Sequence, residues 1–400
     1  MKYIVILCDG MADEPLEELG GRTPLEAAET GNMDRLAADS EIGMVRTVPV
    51  GMAPGSDTAN LSVIGYDPRK YYSGRSPLEA LSIGAEMGEK DVSFRCNLVT
   101  LSEEEDKYED RVILDHSSGE IPAEEAAVLV EALRKGLERE GYTFYAGTSY
   151  RHLLIQKDGK VTELTPPHDI LTKRIGEYLP GDPVLREMMV KSYDILKDHP
   201  VNVQRRAEGK NPANSAWFWG AGTRPALTSF EEKNGVKGAM ISAVDLLKGI
   251  AAGSGMHNII VDGANGGLHT NYSGKAQAAV KALTEDGYDF VYVHIEAPDE
   301  MGHQGSVKDK IKAIEYIDDQ VIGPVAEKLR QSGVDFRMLI LPDHPTPVRV
   351  RTHTSDPVPY LLYDSTEVQE GCSTYCEKTG RESGKMLEEG YRLIDHLLER

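Results

Sequence analysis

Three apolar runs far apart in this chain end in acidic residues. Tyr3 to Cys8 runs into Asp9, Phe290 to Ile295 into Glu296-Ala297-Pro298-Asp299, and Phe336 to Leu341 into Pro342-Asp343. Histidines accompany two of them. His303 follows Asp299 by four residues, so one helical turn aims both at the same point. His344 adjoins Asp343, and His353 follows after a Pro-containing loop. Carboxylates mixed with imidazoles suit Mn, Zn, Fe or Co, with Mg where carboxylates dominate. Six such ligands exceed what one catalytic ion needs. Two ions about 4 Å apart, clamping the attacking and leaving oxygens of a phosphoryl group, use them all. Taken singly, each feature has a plainer reading: a turn or cap residue for the strand-end acids, a solvated helix face for Asp299 and His303. Their conjunction points to metal.

Ser56 supplies a nucleophile. In Pro54-Gly55-Ser56-Asp57-Thr58-Ala59-Asn60 a serine opens a helix, where free N–H groups and the macrodipole favour an anionic phosphoryl group. A neighbouring cation lowers the hydroxyl's pKa. The alternative is that Ser56 only caps the helix, as serine at a helix start commonly does.

The elements that must position these groups follow from the hydrophobic pattern. Tyr3–Cys8, His257–Val261, Phe290–Ile295, Phe336–Leu341 and the stretch around Leu361 read as buried strands. Pro24–Leu36, the segment starting near Ser56, Ile241–Ile250, Gly274–Leu283, Val307–Leu329 and Gly384–Leu398 read as helices. Alternating short apolar strands and helices predict an α/β fold, a mostly parallel sheet with helices on both faces. In such sheets ligands sit beyond the carboxyl ends of the strands, which would bring Asp9, Asp299 and Asp343 to one rim. The middle of the chain differs. It alternates strand-like runs (Ser93–Leu101, Arg111–Leu114, His152–Gln156) with helices at Ala123–Leu137 and Pro183–Leu196. The expectation is a core of residues 1–90 and 215–400, with a smaller α+β domain inserted at 91–214.

Bulk properties narrow the function. A formal net charge of -21 over 400 residues argues against nucleic-acid and anionic-membrane binding, which need a basic face. It leaves room for an anionic small substrate, because bound cations make a pocket locally positive. No apolar run is long enough for a membrane span, and the apolar start is too short for a signal peptide, so a cytoplasmic location is expected. Cys8, Cys96, Cys372 and Cys376 read as ordinary reduced thiols.

These segments resemble a known family. Cys-Asp-Gly-Met-Ala-Asp at 8–13, Thr-Pro-Leu-Glu-Ala-Ala at 23–28 and Asn32-Met33-Asp34 resemble the start of alkaline phosphatase superfamily proteins. With the Ser56 segment, Gly74-Arg75-Ser76-Pro77-Leu78-Glu79-Ala80, Pro166-Pro167-His168-Asp169, Trp217-Phe218-Trp219-Gly220 and Asp299-Glu300-Met301-Gly302-His303, the chain is similar to archaeal-type 2,3-bisphosphoglycerate-independent phosphoglycerate mutases. The resemblance implies an alkaline-phosphatase-like core plus an inserted domain that closes over the glycerate. It also implies interconversion of 3- and 2-phosphoglycerate in glycolysis and gluconeogenesis, with Ser56 as the phosphorylated serine and no 2,3-bisphosphoglycerate cofactor. Asp299, His303 and His353 would hold one divalent cation; Asp9, Ser56, Asp343 and His344 would hold the other. Mn or Mg fits best, with Zn or Co as further options. Arg75, Arg151 and Lys237 are the substrate-contact candidates, since a substrate carrying carboxylate and phosphate suits Arg forks and a Lys point charge. Glu296, where many archaeal relatives have Lys, and Asn265, in place of a Thr, depart from the pattern away from the inferred ligands. Phosphatases, phosphonate hydrolases and other phosphomutases of the superfamily would share the same seven core residues. A metal-stabilised binding module is the non-enzymatic alternative, and it would need neither two ions nor a serine at a helix start.

Overall fold

The computed structural model describes residues 1–399. Two compact units emerge: Met1–Tyr72 with Ala226–Arg400, and Ser73–Pro225 between them. Strands β1 (Lys2–Cys8) and β2 (Glu41–Val45) precede the inserted unit. That unit holds β3 (Val92–Leu101), β4 (Ile113–Asp115), β5 (Tyr142–Tyr145), β6 (Arg151–Gln156) and β7 (Ser215–Thr223). After it come β8 (Gly238–Ile241), β9 (His257–Asn258), β10 (Phe290–Ile295), β11 (Phe336–Leu341), β12 (Val358–Asp364) and β13 (Met386–Leu387).

The first unit carries an eight-stranded sheet in the order β13-β2-β12-β11-β1-β10-β8-β9. β1 lies at its centre, parallel to both β10 and β11, with Cys8 opposite Ile295 and Leu7 opposite Leu341. Only β12 runs against its neighbours. Strands covered on both faces must be apolar throughout, and β10 and β11 are buried along their whole length. The three central strands therefore end side by side, and the residues after them share one rim.

Several elements depart from the sequence pattern. Pro24–Leu36 is two short helices, Pro24–Ala27 and Gly31–Ala37, the first closed by a capping box between Thr23 and Glu26. The expected helix from Val307 to Leu329 is interrupted by a π-helical turn at Asp318–Ile322. Pro324 lacks the N–H that a continuous helix needs. The Asp318 carboxylate also turns to accept the Asn32 and Met33 N–H groups at 2.9 and 2.7 Å, capping the Gly31–Ala37 helix. Residues 241–250 begin as the end of β8, with the helix confined to Asp245–Gly253. Residues 384–398 divide into β13, a 3-10 turn and a helix at Leu393–Leu398.

The inserted unit has a five-stranded sheet in which β3 pairs antiparallel with β4, β6 and β7. Helices Ala123–Leu137 and Pro183–Leu196 supply its apolar core from one side. It begins earlier and ends later than composition suggests, because the Arg75–Ser82 helix is tied to its sheet: Ser76 Oγ donates to Gly220 O at 2.6 Å.

Candidate active site

β1, β10 and β11 deliver Asp9, Asp299 and Asp343 to one rim, all buried. Gly10 makes the approach possible. Its φ is +62°, and a Cβ there would stand 2.6 Å from the Asp299 Cα and the Thr346 Oγ1. Its N–H donates to Asp343 Oδ1 at 3.1 Å. The Ala297–Gln304 helix places Asp299 and His303 on one face, with His303 Nε2 3.2 Å from Asp299 Oδ2.

Two groups of ligand atoms result. Asp9, Asp343 and His344 each offer an atom within 4.8 Å of the others, and so do Asp299, His344 and His353. His344 stands in both groups, its ring stacked on His353 at 4.0 Å between centroids. His303 joins the second group, its Nε2 3.0 Å from that of His353.

Ser56 is the first residue of the Ser56–Val63 helix; the capping position is Gly55, and no side chain caps it. The Ser56 hydroxyl lies 3.1 Å from His344 Nε2 instead. The tautomer of His344 follows from Thr346. The Thr346 hydroxyl donates its one hydrogen to Asp299 Oδ1, so it can only accept from His344 Nδ1, 3.3 Å away. The Nε2 lone pair is thereby turned toward Ser56 and the carboxylates.

Three further residues, absent from the sequence inventory, brace the rim. Asn60, one turn after Ser56, donates to Asp343 Oδ2 at 2.8 Å and accepts from the Tyr292 hydroxyl at 2.6 Å. Its i+4 spacing from Ser56 was a usable signal. Thr346 sets the His344 tautomer. His294 Nε2 lies 2.8 Å from Asp9 Oδ2, and nothing in its apolar run marks it out.

The residues fit cations. Asp9 Oδ1 is buried without a hydrogen-bond partner. Burial, followed by the Asp343 and Asp299 charges, pushes the Asp9 carboxyl well above its ordinary range. At Asp299 burial also raises, but the His303 and His353 rings outweigh it and hold the carboxyl low. Asp299 in turn raises His303 to about 9. The protonated His303 ring beside Asp299 thus stands where a cation would.

A buried lysine fixes the approach to this rim. Lys310 Nζ donates to Asp13 Oδ2 at 2.7 Å and to Thr346 O at 2.8 Å, with no exposure. Lys310→Ala leaves the buried Asp13 carboxylate with the Val348 and Glu14 N–H donors but without its counter-charge. It should cost about 3–5 kcal/mol in urea unfolding, and a loss under 1 kcal/mol would show that water relieves the charge.

In the inserted unit, Arg151 lies over Tyr150, 5.2 Å from the ring centre, and His116 links that ring edge-on to His168. Glu79 joins Arg75 at 3.2 Å and the buried Arg95 at 3.0 Å. The Arg95 guanidinium lies over Trp219, 4.2 Å from the ring centre, and His168 meets the same indole edge-on at 5.2 Å. The Pro166–Asp169 and Trp217–Gly220 motifs therefore meet. Lys237 is a correction. It precedes β8, stacks over Tyr288 at 4.6 Å and so lies at the amino ends of the strands, the opposite edge of the sheet from Asp9, Asp299 and Asp343. At about 3.3 Å per residue the strand length separates it from them.

Comparison with known proteins identifies the family. A family model described as 2,3-bisphosphoglycerate-independent phosphoglycerate mutase matches residues 37–202. Proteins of that name from Methanosarcina barkeri and Methanothrix thermoacetophila are 48% and 47% identical to the chain, each alignment covering all of both. A solved structure of a Pyrococcus horikoshii protein has a TM-score of 0.83 at 32% identity, covering 100% of this chain and 96% of that one. A cofactor-independent phosphoglycerate mutase from Thermoplasma acidophilum has a TM-score of 0.66 at 28% identity, covering 100% and 99%. The chain belongs to the 2,3-bisphosphoglycerate-independent phosphoglycerate mutases.

Proposed function

We propose that the protein interconverts 3-phosphoglycerate and 2-phosphoglycerate through a phosphorylated Ser56, with two divalent cations and without 2,3-bisphosphoglycerate. The observation that carries this reading is the Ser56 hydroxyl set 3.1 Å from His344 Nε2, the one imidazole shared by both ligand groups. Asp9, Ser56, Asp343 and His344 would hold one cation; Asp299, His303 and His353 would hold the other. Mn suits this mixed carboxylate–imidazole set, and Mg would rest on its three carboxylates, with Zn or Co as further options. When bound, the cations neutralise the phosphoryl oxygens and lower the serine hydroxyl's pKa.

The chain's own residues account for the rest. Ser56 Oγ attacks the phosphorus as the bond to the substrate's C3 oxygen breaks. The glycerate then offers its C2 hydroxyl and takes the phosphoryl group back. In each half-reaction one P–O bond forms as another breaks, and the proton lost by the attacking hydroxyl returns on the leaving oxygen. The amino end of the Ser56–Val63 helix, where Ser56 stands, would favour an anionic phosphoryl group. Arg75 and Arg151 are the residues whose guanidinium forks would suit the anionic substrate.

A coupled assay of the purified protein with 3-phosphoglycerate, with and without added Mn, tests the activity. Added 2,3-bisphosphoglycerate should leave the rate unchanged. Strong stimulation by it, or free phosphate as the main product, would assign another chemistry to the site.

A further inference from the structure

Asp9 has two carboxylate oxygens, and the fold uses them differently. Oδ1 has no hydrogen-bond partner and lies 3.7 Å from His344 Nε2. Oδ2 meets His294 Nε2 at 2.8 Å. His294 stands on β10 opposite Leu7 of β1 and has no exposure to solvent.

The other side of the ring is equally committed. Its Nδ1 lies 3.2 Å from the hydroxyl of Ser242, the residue directly after β8. That hydroxyl accepts the Val244 N–H at 3.0 Å, and among the described residues Nδ1 is the acceptor within reach of its own hydrogen. An Nδ1 that accepts requires an Nε2 that donates, and Asp9 Oδ2 is the acceptor in reach. The backbone is held as well: the buried Lys275 Nζ donates to His294 O at 2.9 Å.

We infer that His294 is a positioning residue which occupies Asp9 Oδ2 and presents Oδ1 to a cation, with Ser242 selecting the tautomer that makes this possible. The inference rests on the two-cation reading above. The ring adds no ligand atom of its own; it removes the freedom of the Asp9 carboxylate to rotate or to bind through the wrong oxygen. Outer hydrogen bonds of this kind commonly change metal affinity about 10- to 100-fold. A ring that merely filled core volume would be replaceable by any side chain of similar size.

Mn titration of the metal-stripped, full-length protein, by calorimetry and by the electron paramagnetic resonance of free Mn, separates the two. Wild type should bind two Mn per chain. His294→Leu should bind one Mn as before and the other about 10- to 100-fold more weakly. His294→Gln keeps a donor for Asp9 and should recover part of the loss. Ser242→Ala, which removes one hydroxyl and leaves the ring, should weaken the same single site to a smaller extent. At saturating Mn, His294→Leu should recover much of its kcat, with KM for phosphoglycerate little changed. Two sites of unaltered affinity in both His294→Leu and Ser242→Ala would overturn the inference. Equal weakening in His294→Leu and His294→Gln would do so too, because volume rather than the donor would then matter. A wild-type protein that binds no Mn would fail one step earlier, at the cation reading itself, and take the inference with it.

Discussion

Ser56→Ala should fold, retain its cations and lose at least about a thousandfold in mutase turnover, since removing a nucleophile removes the covalent route and leaves only binding. The structure separates this outcome from a simple capping effect. Loss of a capping serine costs about 0.5–2 kcal/mol and spares chemistry. Here Gly55 holds the capping position, and the Ser56 hydroxyl's contact is His344 Nε2. Stability should therefore change little, within about 0.5 kcal/mol, as at sites away from caps and cavities. The carboxylates and the histidines still hold metal, so Mn stoichiometry should persist. Acid quenching of wild type during turnover, followed by mass spectrometry, should find phosphate on Ser56 and none on the variant's residue 56. Substantial turnover by the Ala protein would refute the phosphoserine route even with both metals present.

The rim was legible because its strands are. β1, β10 and β11 are short, uninterrupted apolar runs closed by Asp-Gly or by Pro and an acid, and a doubly covered parallel sheet demands such runs. Helices Ala123–Leu137 and Pro183–Leu196 were legible for a related reason, a long 3.6-residue period bounded by Pro. β8 was not. Its four residues Gly-Ala-Met-Ile carry no β-branched alternation and run straight into a helix-like pattern. The π turn at Asp318–Ile322 answers to Asn32 and Met33, contacts that no local window contains.

The same distinction applies within the site. Asp9, Asp299 and Asp343 announce themselves by following strands, and His303 by its spacing. His294 and Ser242 do not, because a histidine inside an apolar strand reads as core until the register sets it beside Asp9. Lys237 failed in the opposite way. Its sequence neighbourhood was suggestive, but strand direction places it at the wrong edge of the sheet. Residue type and spacing identify what can bind metal; direction and register decide which of those groups meet.

Removal of the cations should abolish turnover and lower Tm, and the Tm difference should shrink as the pH falls. An ion present at about 100 times its Kd contributes about 2.7 kcal/mol, so two ions should move Tm by roughly 10–20 °C in a unit of this size. The pH dependence follows from Asp9. Burial, Asp343 and Asp299 raise its folded-state pKa above the unfolded value. A carboxyl shifted upward favours the folded state only while protonated, so its contribution is lost as the pH rises through the folded-state pKa. The chelated protein therefore loses stability as the pH rises and Asp9 ionises beside the Asp343 and Asp299 charges, and acid supplies a proton in place of the cation. His303 acts in the same direction. Raised to about 9 by Asp299, it contributes stability that is present below about pH 6.5 and lost as the pH rises through 9. The contributions of Asp9 and His303 to the chelated form should thus fall between mildly acidic pH and pH 9. Cations bind the deprotonated ligands, so their stabilisation grows over the same interval. Differential scanning calorimetry with and without chelator, between pH 5 and 9, should show the gap widening with pH. A Tm indifferent to chelation, with metal content near zero by elemental analysis, would remove the two-cation site. A gap that widens on acidification would mean that Asp9 and His303 do not face the cations.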